Sequence, residues 1–328
     1  MNTKTLGTLT TSAIGLGCMG MSPAYGDADR DESIATVHAA LEAGITLLDT
    51  GDFYGAGHNE LLLAEALHDV PRDTYQLSVK FGGQVSPDGA FLGFDGRPVA
   101  VKASAAYSLR RLGTEYIDIY RPARLDPTVD IEETVGAIGD LVDAGYVRRI
   151  GLSEVGAETI KRAASVRPIT DLQIEYSLAS RGIERDILDT CRDLGIGVTA
   201  YGVLSRGLIS GHWTKSSGGQ GDSRTASPRF SGENLDRNLA LVETLRGVAE
   251  ELGITVAQAA IAWVASRGDD IVPLVGARTR ARLVESLGAV DVVLTDRQLA
   301  AIEAAIPADQ VAGERYPTAH MAALDSER

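Results

Sequence analysis

The sequence predicts one α/β domain over residues 1–328: a (β/α)8 (TIM) barrel with an N-terminal β-hairpin and extra helices. Three observations point to it. Eight apolar runs of strand length alternate with stretches of helical period, the pattern of a parallel sheet. A chain of 328 residues has the size of one such barrel. No linker interrupts the alternation.

The eight runs are Ala13–Cys18, Thr46–Thr50, Gln76–Phe81, Tyr116–Tyr120, Val147–Leu152, Asp171–Tyr176, Gly197–Tyr201 and Asp270–Val275. Between them, Ser33–Ala43 carries Ile34, Val37, His38 and Leu41 at the spacing of one helix face. Asn59–His68 and Ala103–Leu112 follow the same period, and Ile131–Ala144 opens with Glu132 and Glu133, acids suited to a helix N-terminus. Gly156–Val166, Ile183–Leu194 and Thr279–Ala289 complete the alternation, while Leu235–Leu252 and Val256–Ser266 add two helices before the eighth run. The stretch Lys215–Ser227 (K-S-S-G-G-Q-G-D-S-R-T-A-S) has the composition of a functional loop or of a disordered insertion.

Composition narrows the function. Hydrophobic residues at 44% and charged residues at 23% can bury a large core. A formal net charge of −14 argues against a nucleic-acid partner, yet leaves room for a local basic patch that takes one small anion. Two cysteines, Cys18 and Cys191, make no disulfide framework and fit a reducing cytoplasm. No apolar run approaches the roughly 18 residues of a membrane span, and Ala13–Met21 reads as fold rather than signal peptide. No two of the five histidines stand at metal-ligand spacing, so no metal is expected. Gly15–Gly20 matches G-x-G-x-x-G, but Ser22-Pro23-Ala24-Tyr25-Gly26 follows, which is turn chemistry and not the helix of a dinucleotide fingerprint. There is no G-x-S-x-G elbow and no phosphate loop; Gly151–Gly156 misses the elbow by one residue. Without heptads, a monomer or a simple homo-oligomer fits equally.

Chemistry concentrates in Leu47–Gly55, L-L-D-T-G-D-F-Y-G. Polar residues at the C-terminal ends of barrel strands are the default catalytic candidates. Asp49 closes the second run, Tyr54 follows it, and Lys80 lies near the end of the third. A lysine in an apolar strand needs a partner, and Asp49 is placed to be it. A cation beside Tyr54 is expected to pull the phenol below its usual pKa, so that it exchanges a proton near neutral pH. From these residues alone, a capping Asp49, a snorkelling Lys80 and a packing Tyr54 remain equally open.

Further matches decide between them. Leu16–Ser22, Leu48–Gly55 and Val79-Lys80-Phe81 are joined by Gly151-Leu152-Ser153-Glu154, Gln173–Ser177 and Ala200–Gly207. Pro228-Arg229-Phe230, Glu233-Asn234-Leu235 and Gly313-Glu314-Arg315-Tyr316 extend the series. With these in order along its length, the chain resembles the aldo-keto reductases, NADPH-dependent (β/α)8 enzymes. It is most similar to the subgroup of about 330 residues with a long loop after the seventh strand. The resemblance implies that Tyr54 donates a proton to a carbonyl oxygen, that Lys80 tunes it and that Asp49 holds Lys80. It implies that Ser153 and Gln173 hold the nicotinamide amide, with Glu154 where the family often has asparagine, and that Tyr201 stacks on the ring. Gly202, Leu204 and Arg206, with Cys18 and Met19, would line the pyrophosphate path.

After the eighth run comes Gly276-Ala277-Arg278-Thr279-Arg280-Ala281-Arg282, entering a helix. Three arginines at a helix N-terminus oppose the usual acidic preference, and a 2′-phosphate would explain them; a solvated basic face is the alternative. That reading favours NADP(H). Glu285 keeps its family identity and Ser286 replaces a common asparagine near the adenine. The main departure is Ala123, which stands where the family places the histidine that donates to the substrate carbonyl. Losing such a donor costs about 10²–10³ in rate when nothing replaces it. Arg121, Arg124, His58 or a water is a candidate replacement; Arg121 and Arg124 are alternatively structural, pairing with Asp118 or Asp126. The expectation is an NADPH-dependent reductase of an aldehyde or ketone. Its rivals are an NADPH-binding regulator with weak activity and a pyridoxal-type reductase.

Overall fold

The eight apolar runs pair into a closed barrel because each supplies short backbone stretches whose side chains are buried on both faces. The protein is seen as a computed structural model that describes residues 1–219 and 221–327. A hairpin of β1 (Thr3–Leu6) and β2 (Leu9–Ser12) opens the chain. The barrel follows from β3 (Gly15–Gly17), β4 (Leu47–Gly51) and β5 (Gln76–Phe81). A second hairpin, β6 (Gly83–Val85) and β7 (Phe91–Phe94), interrupts it. Then come β8 (Ile117–Pro122), β9 (Val147–Ser153), β10 (Ile169–Glu175), β11 (Gly197–Tyr201) and β12 (Ile271–Gly276), which pairs back onto β3.

Helices α1 (Arg30–Glu42), α2 (His58–Ala66), α3 (Pro98–Leu112), α4 (Ile131–Asp143), α5 (Ala157–Val166) and α6 (Ile187–Asp193) connect the first strands. α7 (Gly232–Glu251), α8 (Val256–Ala265), α9 (Arg280–Leu287), α10 (Asp296–Ala305) and α11 (Thr318–Met321) complete the outer layer. Local signals fix their ends. Asp29 accepts the Glu32 N–H at the start of α1, and Thr255 with Gln258 forms a capping box at α8. Leu6 and Leu9 pack with Leu47, Ile119 and Val272, so the first hairpin plugs the N-terminal end of the barrel. A side chain at Gly197 would place Cβ 2.5 Å from the Leu6 Cα, so the plug requires glycine there.

The predicted strands all form, with ends shifted by at most two residues. The expected helix from Ile183 begins instead with a short 3-10 turn, Gly182–Glu184, and becomes α-helical at Ile187. The stretch after β11 is not a featureless insertion. Short helical turns form at Ser223–Ala226 and Pro228–Phe230, Tyr25 pairs with Asp222, and Ser223 Oγ donates to Ala24 O at 2.7 Å. This segment therefore crosses to the loop after β3; Gln220 within it lies outside the described residues. Among the described residues no single helix is long and apolar enough to cross a membrane.

Candidate active site

Strand register assembles a charged layer inside the barrel. Gly51 of β4 pairs with Lys80 of β5, and Lys80 pairs with Arg121 of β8. Across the barrel, Gln173 of β10 pairs with Ser153 of β9 and Thr199 of β11. Lys80 Nζ donates to Asp49 Oδ1, and to Gln173 Oε1 at 2.9 Å. Asp49 Oδ2 accepts from Ser78 Oγ at 2.6 Å, Gln173 Nε2 at 2.7 Å and Arg121 Nη1 at 3.3 Å. Arg121 Nη2 reaches both Asp171 oxygens at 2.9 Å, and Thr199 Oγ1 also donates to that carboxylate. All four charged side chains are buried. Two cations face two anions, so the layer is neutral, as buried charge must be to avoid a large desolvation cost. Gly151 makes room for it: a Cβ there would lie 2.6 Å from Asp171 Oδ1 and 2.7 Å from Arg121 Nε.

Tyr54 sits in the turn directly after β4, its N–H donating to Gly51 O at 3.0 Å. Its ring packs edge-on against Phe53 and lies 5.2 Å from Lys80 Nζ. The expected lowering of the Tyr54 pKa is not found. Burial pushes the phenol well above its usual value, the Asp49 charge adds to that, and Arg124 opposes it. Burial likewise lowers Lys80, against the pull of Asp49, and Arg121 lowers it further. The neighbouring Asp52 accepts from the Gly82 N–H and lies near the Glu60–Arg111 pair; desolvation and then Glu60 raise its carboxyl to about 7.

Above the layer lies the mouth, formed by strand ends and the C-terminal segment. Three residues here that are not glycine adopt left-handed backbone: Glu154 (φ 53°), Ser205 (φ 47°) and Arg206 (φ 57°). Such strain clusters where side chains must be aimed. The Glu154 carboxylate accepts from Arg315 at 2.8 and 2.7 Å, from Tyr201 OH at 2.7 Å, from Ser326 Oγ at 2.8 Å and from the Glu175 N–H at 2.9 Å. Burial alone would raise its pKa, but Arg315, then Arg124 and Tyr201, hold it down to about 2. Arg206 stacks on Tyr316 at 4.1 Å and donates to Ser227 Oγ at 3.0 Å. Arg124 donates to Ala123 O, Ser153 Oγ and the hydroxyls of Tyr201 and Tyr316.

The residues singled out in the sequence meet in part. Asp49, Lys80 and Tyr54 converge. Ser153 and Tyr201 reach the mouth, and Gly202 (φ +66°), Leu204 and Arg206 follow β11. Cys18 is buried beside Asp49, its N–H donating to Asp49 O at 2.9 Å, and Met19 begins a short turn after β3. Gln173 is committed to Lys80 and Asp49, and Glu154 to Arg315. Arg121 is turned into the barrel, paired with Asp49 and Asp171 and with neither Asp118 nor Asp126. Ala123 is buried, and His58 Nδ1 contacts Ser22 Oγ at 2.9 Å.

At α9 the three arginines part company. Arg280 pairs with Glu32, and Arg282 pairs with Glu285, which also holds His212. Arg278 instead donates to the carbonyls of Tyr25 and Asp27. An external anion is therefore not needed to explain Arg280 or Arg282, only to complete Arg278. Ser286 is buried, and a Cβ at Gly276 would meet nothing nearer than 4.0 Å, so backbone approach is open there. Arg206 and Arg278, which have no carboxylate partner among the described residues, follow the strand ends of β11 and β12, and so suit a phosphate-bearing nucleotide. Among the described residues no three metal-ligating side chains gather. Sequence reading missed Asp171 as the partner of Arg121 and Arg315 as the partner of Glu154. A charged residue inside an apolar run was the signal for the first; the matched G-E-R-Y stretch was the signal for the second.

The model of the Aldo/keto reductase family matches residues 13–307. A soybean (Glycine max) protein described as probable aldo-keto reductase 1 is 42% identical over 308 residues, covering 93% of this chain and 88% of that one. The glycerol dehydrogenase AKR11B4 from Gluconobacter oxydans superposes with a TM-score of 0.85 at 29% identity, over 96% of this chain and 98% of that one. The holo form of aldo-keto reductase AKR11C1 from Bacillus halodurans gives a TM-score of 0.78 at 25% identity, over 94% and 97%. With its closed eight-stranded barrel and a strand-end tyrosine beside a lysine–aspartate pair, the chain belongs to the aldo/keto reductase family, oxidoreductases acting on carbonyl groups.

Proposed function

We propose that the protein is an NADPH-dependent reductase of aldehydes or ketones with Tyr54 as its proton donor. One observation carries the reading: Tyr54 stands in the turn just after β4, its phenol kept protonated by desolvation, beside a lysine locked to Asp49. A phenol kept protonated suits donation to an oxygen that gains negative charge. NADPH, when bound, supplies the hydride that the carbonyl carbon receives. The carbonyl oxygen takes the Tyr54 proton, and Lys80 offsets the phenolate that is left. Ser153 and Tyr201 would face the nicotinamide; Gln173 and Glu154 reach it only with the bonding capacity their present partners leave. Gly202, Leu204 and Arg206 would follow the pyrophosphate. Arg278, with Arg282, Glu285 and Ser286 on α9, would face the adenosine 2′-phosphate. The glycerol dehydrogenase among the similar structures supports alcohol oxidation as the reverse use of the same site.

A second reading, an NADPH-binding regulator with weak turnover, draws on Ala123, which has no hydrogen bond to offer a substrate oxygen. NADPH fluorescence titration, followed in the same cuvette by a screen of carbonyl compounds, separates the two. The reductase reading predicts that NADPH binds more tightly than NADH and is oxidised by some of the carbonyls. Tight binding without oxidation by any of them would overturn it in favour of the regulator.

A further inference from the structure

The mouth contains a cation that the proposed reaction leaves unexplained. Arg124 follows Ala123 at the end of β8 and is partly buried. Its four hydrogen bonds all go to neutral oxygens: Ala123 O at 2.7 Å, Ser153 Oγ at 3.4 Å, Tyr201 OH at 3.4 Å and Tyr316 OH at 3.1 Å. Among the described residues it makes no ion pair. Glu154 feels the Arg124 charge but makes no hydrogen bond or ion pair with it, being already held by both terminal nitrogens of Arg315. A partly desolvated guanidinium with neutral partners only is incomplete, because burial of charge is favourable chiefly when an anion accompanies it.

Position decides what completes it. Arg206 also lacks an acid, but it lies after β11 on the path assigned to the cofactor pyrophosphate. Arg124 shares Tyr316 with Arg206 but reaches Ser153, whose partner in the sheet, Gln173, holds Lys80, and its charge acts on both Tyr54 and Lys80. The missing anion therefore arrives with the molecule that reacts at Tyr54. We infer that Arg124 receives a substrate carboxylate, so that the preferred substrates are carbonyl compounds bearing a carboxylate close to the reacting carbon, or the corresponding hydroxy acids. A guanidinium presents paired N–H groups that match the two oxygens of a carboxylate. The two contacts at 3.4 Å are the ones a carboxylate would replace at least cost. The inference rests on the reductase reading and goes one step past it, to the substrate's charge.

The test compares a 2-oxo acid with its neutral ester. Initial rates with NADPH are measured for phenylglyoxylate and methyl phenylglyoxylate, with the wild type, Arg124→Met and Arg124→Lys. With a net charge of −14, the protein as a whole repels acids, so any preference for the acid has to be local. The expected result is a kcat/KM at least about tenfold higher for the acid in the wild type. Arg124→Met should bring the ratio to one or below, with part of the preference kept in Arg124→Lys. An ester used as well as the acid by the wild type would overturn the inference and leave the reductase reading standing. Equal losses on both substrates in Arg124→Met would also overturn it, and would make Arg124 a donor to the carbonyl itself. NADPH oxidation by neither compound, nor by any aldehyde, would sink both readings. Should Arg124→Met fail to fold, the wild-type ratio and Arg124→Lys still decide.

Discussion

The barrel interior and the barrel mouth both hold arginines, yet they treat them differently. Inside, Arg121 has two carboxylates and Lys80 has one of them, so the charges close on themselves. At the mouth, Arg315 is held by Glu154, while Arg124 and Arg206 meet only neutral oxygens and aromatic rings. The inner layer holds Asp49 and Lys80 in place; the open cations of the mouth are left for groups the protein does not itself supply. Where charges are balanced, removal of one should damage the fold. Where they are unbalanced, removal should damage binding.

Cutting the inner layer should have the largest effect. Asp171→Ala leaves Arg121 buried with Asp49 alone and should lower stability by about 3–5 kcal/mol in chemical unfolding. A loss below about 1 kcal/mol would mean that the layer is not closed in the way described. Acid should reveal the next effect. Glu154 titrates near 2 in the folded protein against 4.5 ordinarily. Its contribution is therefore complete above pH 4.5 and is lost as pH falls toward about 2, an effect on the order of 3 kcal/mol. Stability followed against pH in the wild type should show this decline, and Glu154→Gln should lack it; parallel curves would show that the Glu154–Arg315 pair does not anchor the C-terminal segment. The smallest effect on stability belongs to Arg206→Met, about 1 kcal/mol or less, since no carboxylate is stranded. A cost there as large as that of Asp171→Ala would erase the contrast between the two regions.

The sequence makes the barrel legible because strands buried on both faces write themselves as apolar runs. It hides the hairpin Gly83–Phe94, where glycines and exposed Phe91 and Leu92 carry no alternating pattern. It also hides α10, although Thr295 and Gln298 form the same capping box as at α8. Asp49, Lys80 and Tyr54 are readable because each lies near the end of an apolar run or just past it, where polar residues are conspicuous. The pairing of Arg121 with Asp171 spans 50 residues and that of Glu154 with Arg315 spans 161, and both depend on register and chain return rather than on local pattern. The direction of the Tyr54 shift is hidden for a related reason. Proximity to Lys80 can be read from strand ends, whereas the desolvation of the hydroxyl by the surrounding chain, which outweighs it, cannot.

The most direct test is Tyr54→Phe, assayed for NADPH affinity and for turnover of the best carbonyl substrate. Tyr54 lies over the closed inner layer without being part of it, so the fold and cofactor affinity should change little. Turnover should fall by at least about 10²-fold, the scale of a lost general acid. Unchanged turnover would contradict the assignment of Tyr54, and with it the claim that the Asp49–Lys80 layer exists to serve that hydroxyl.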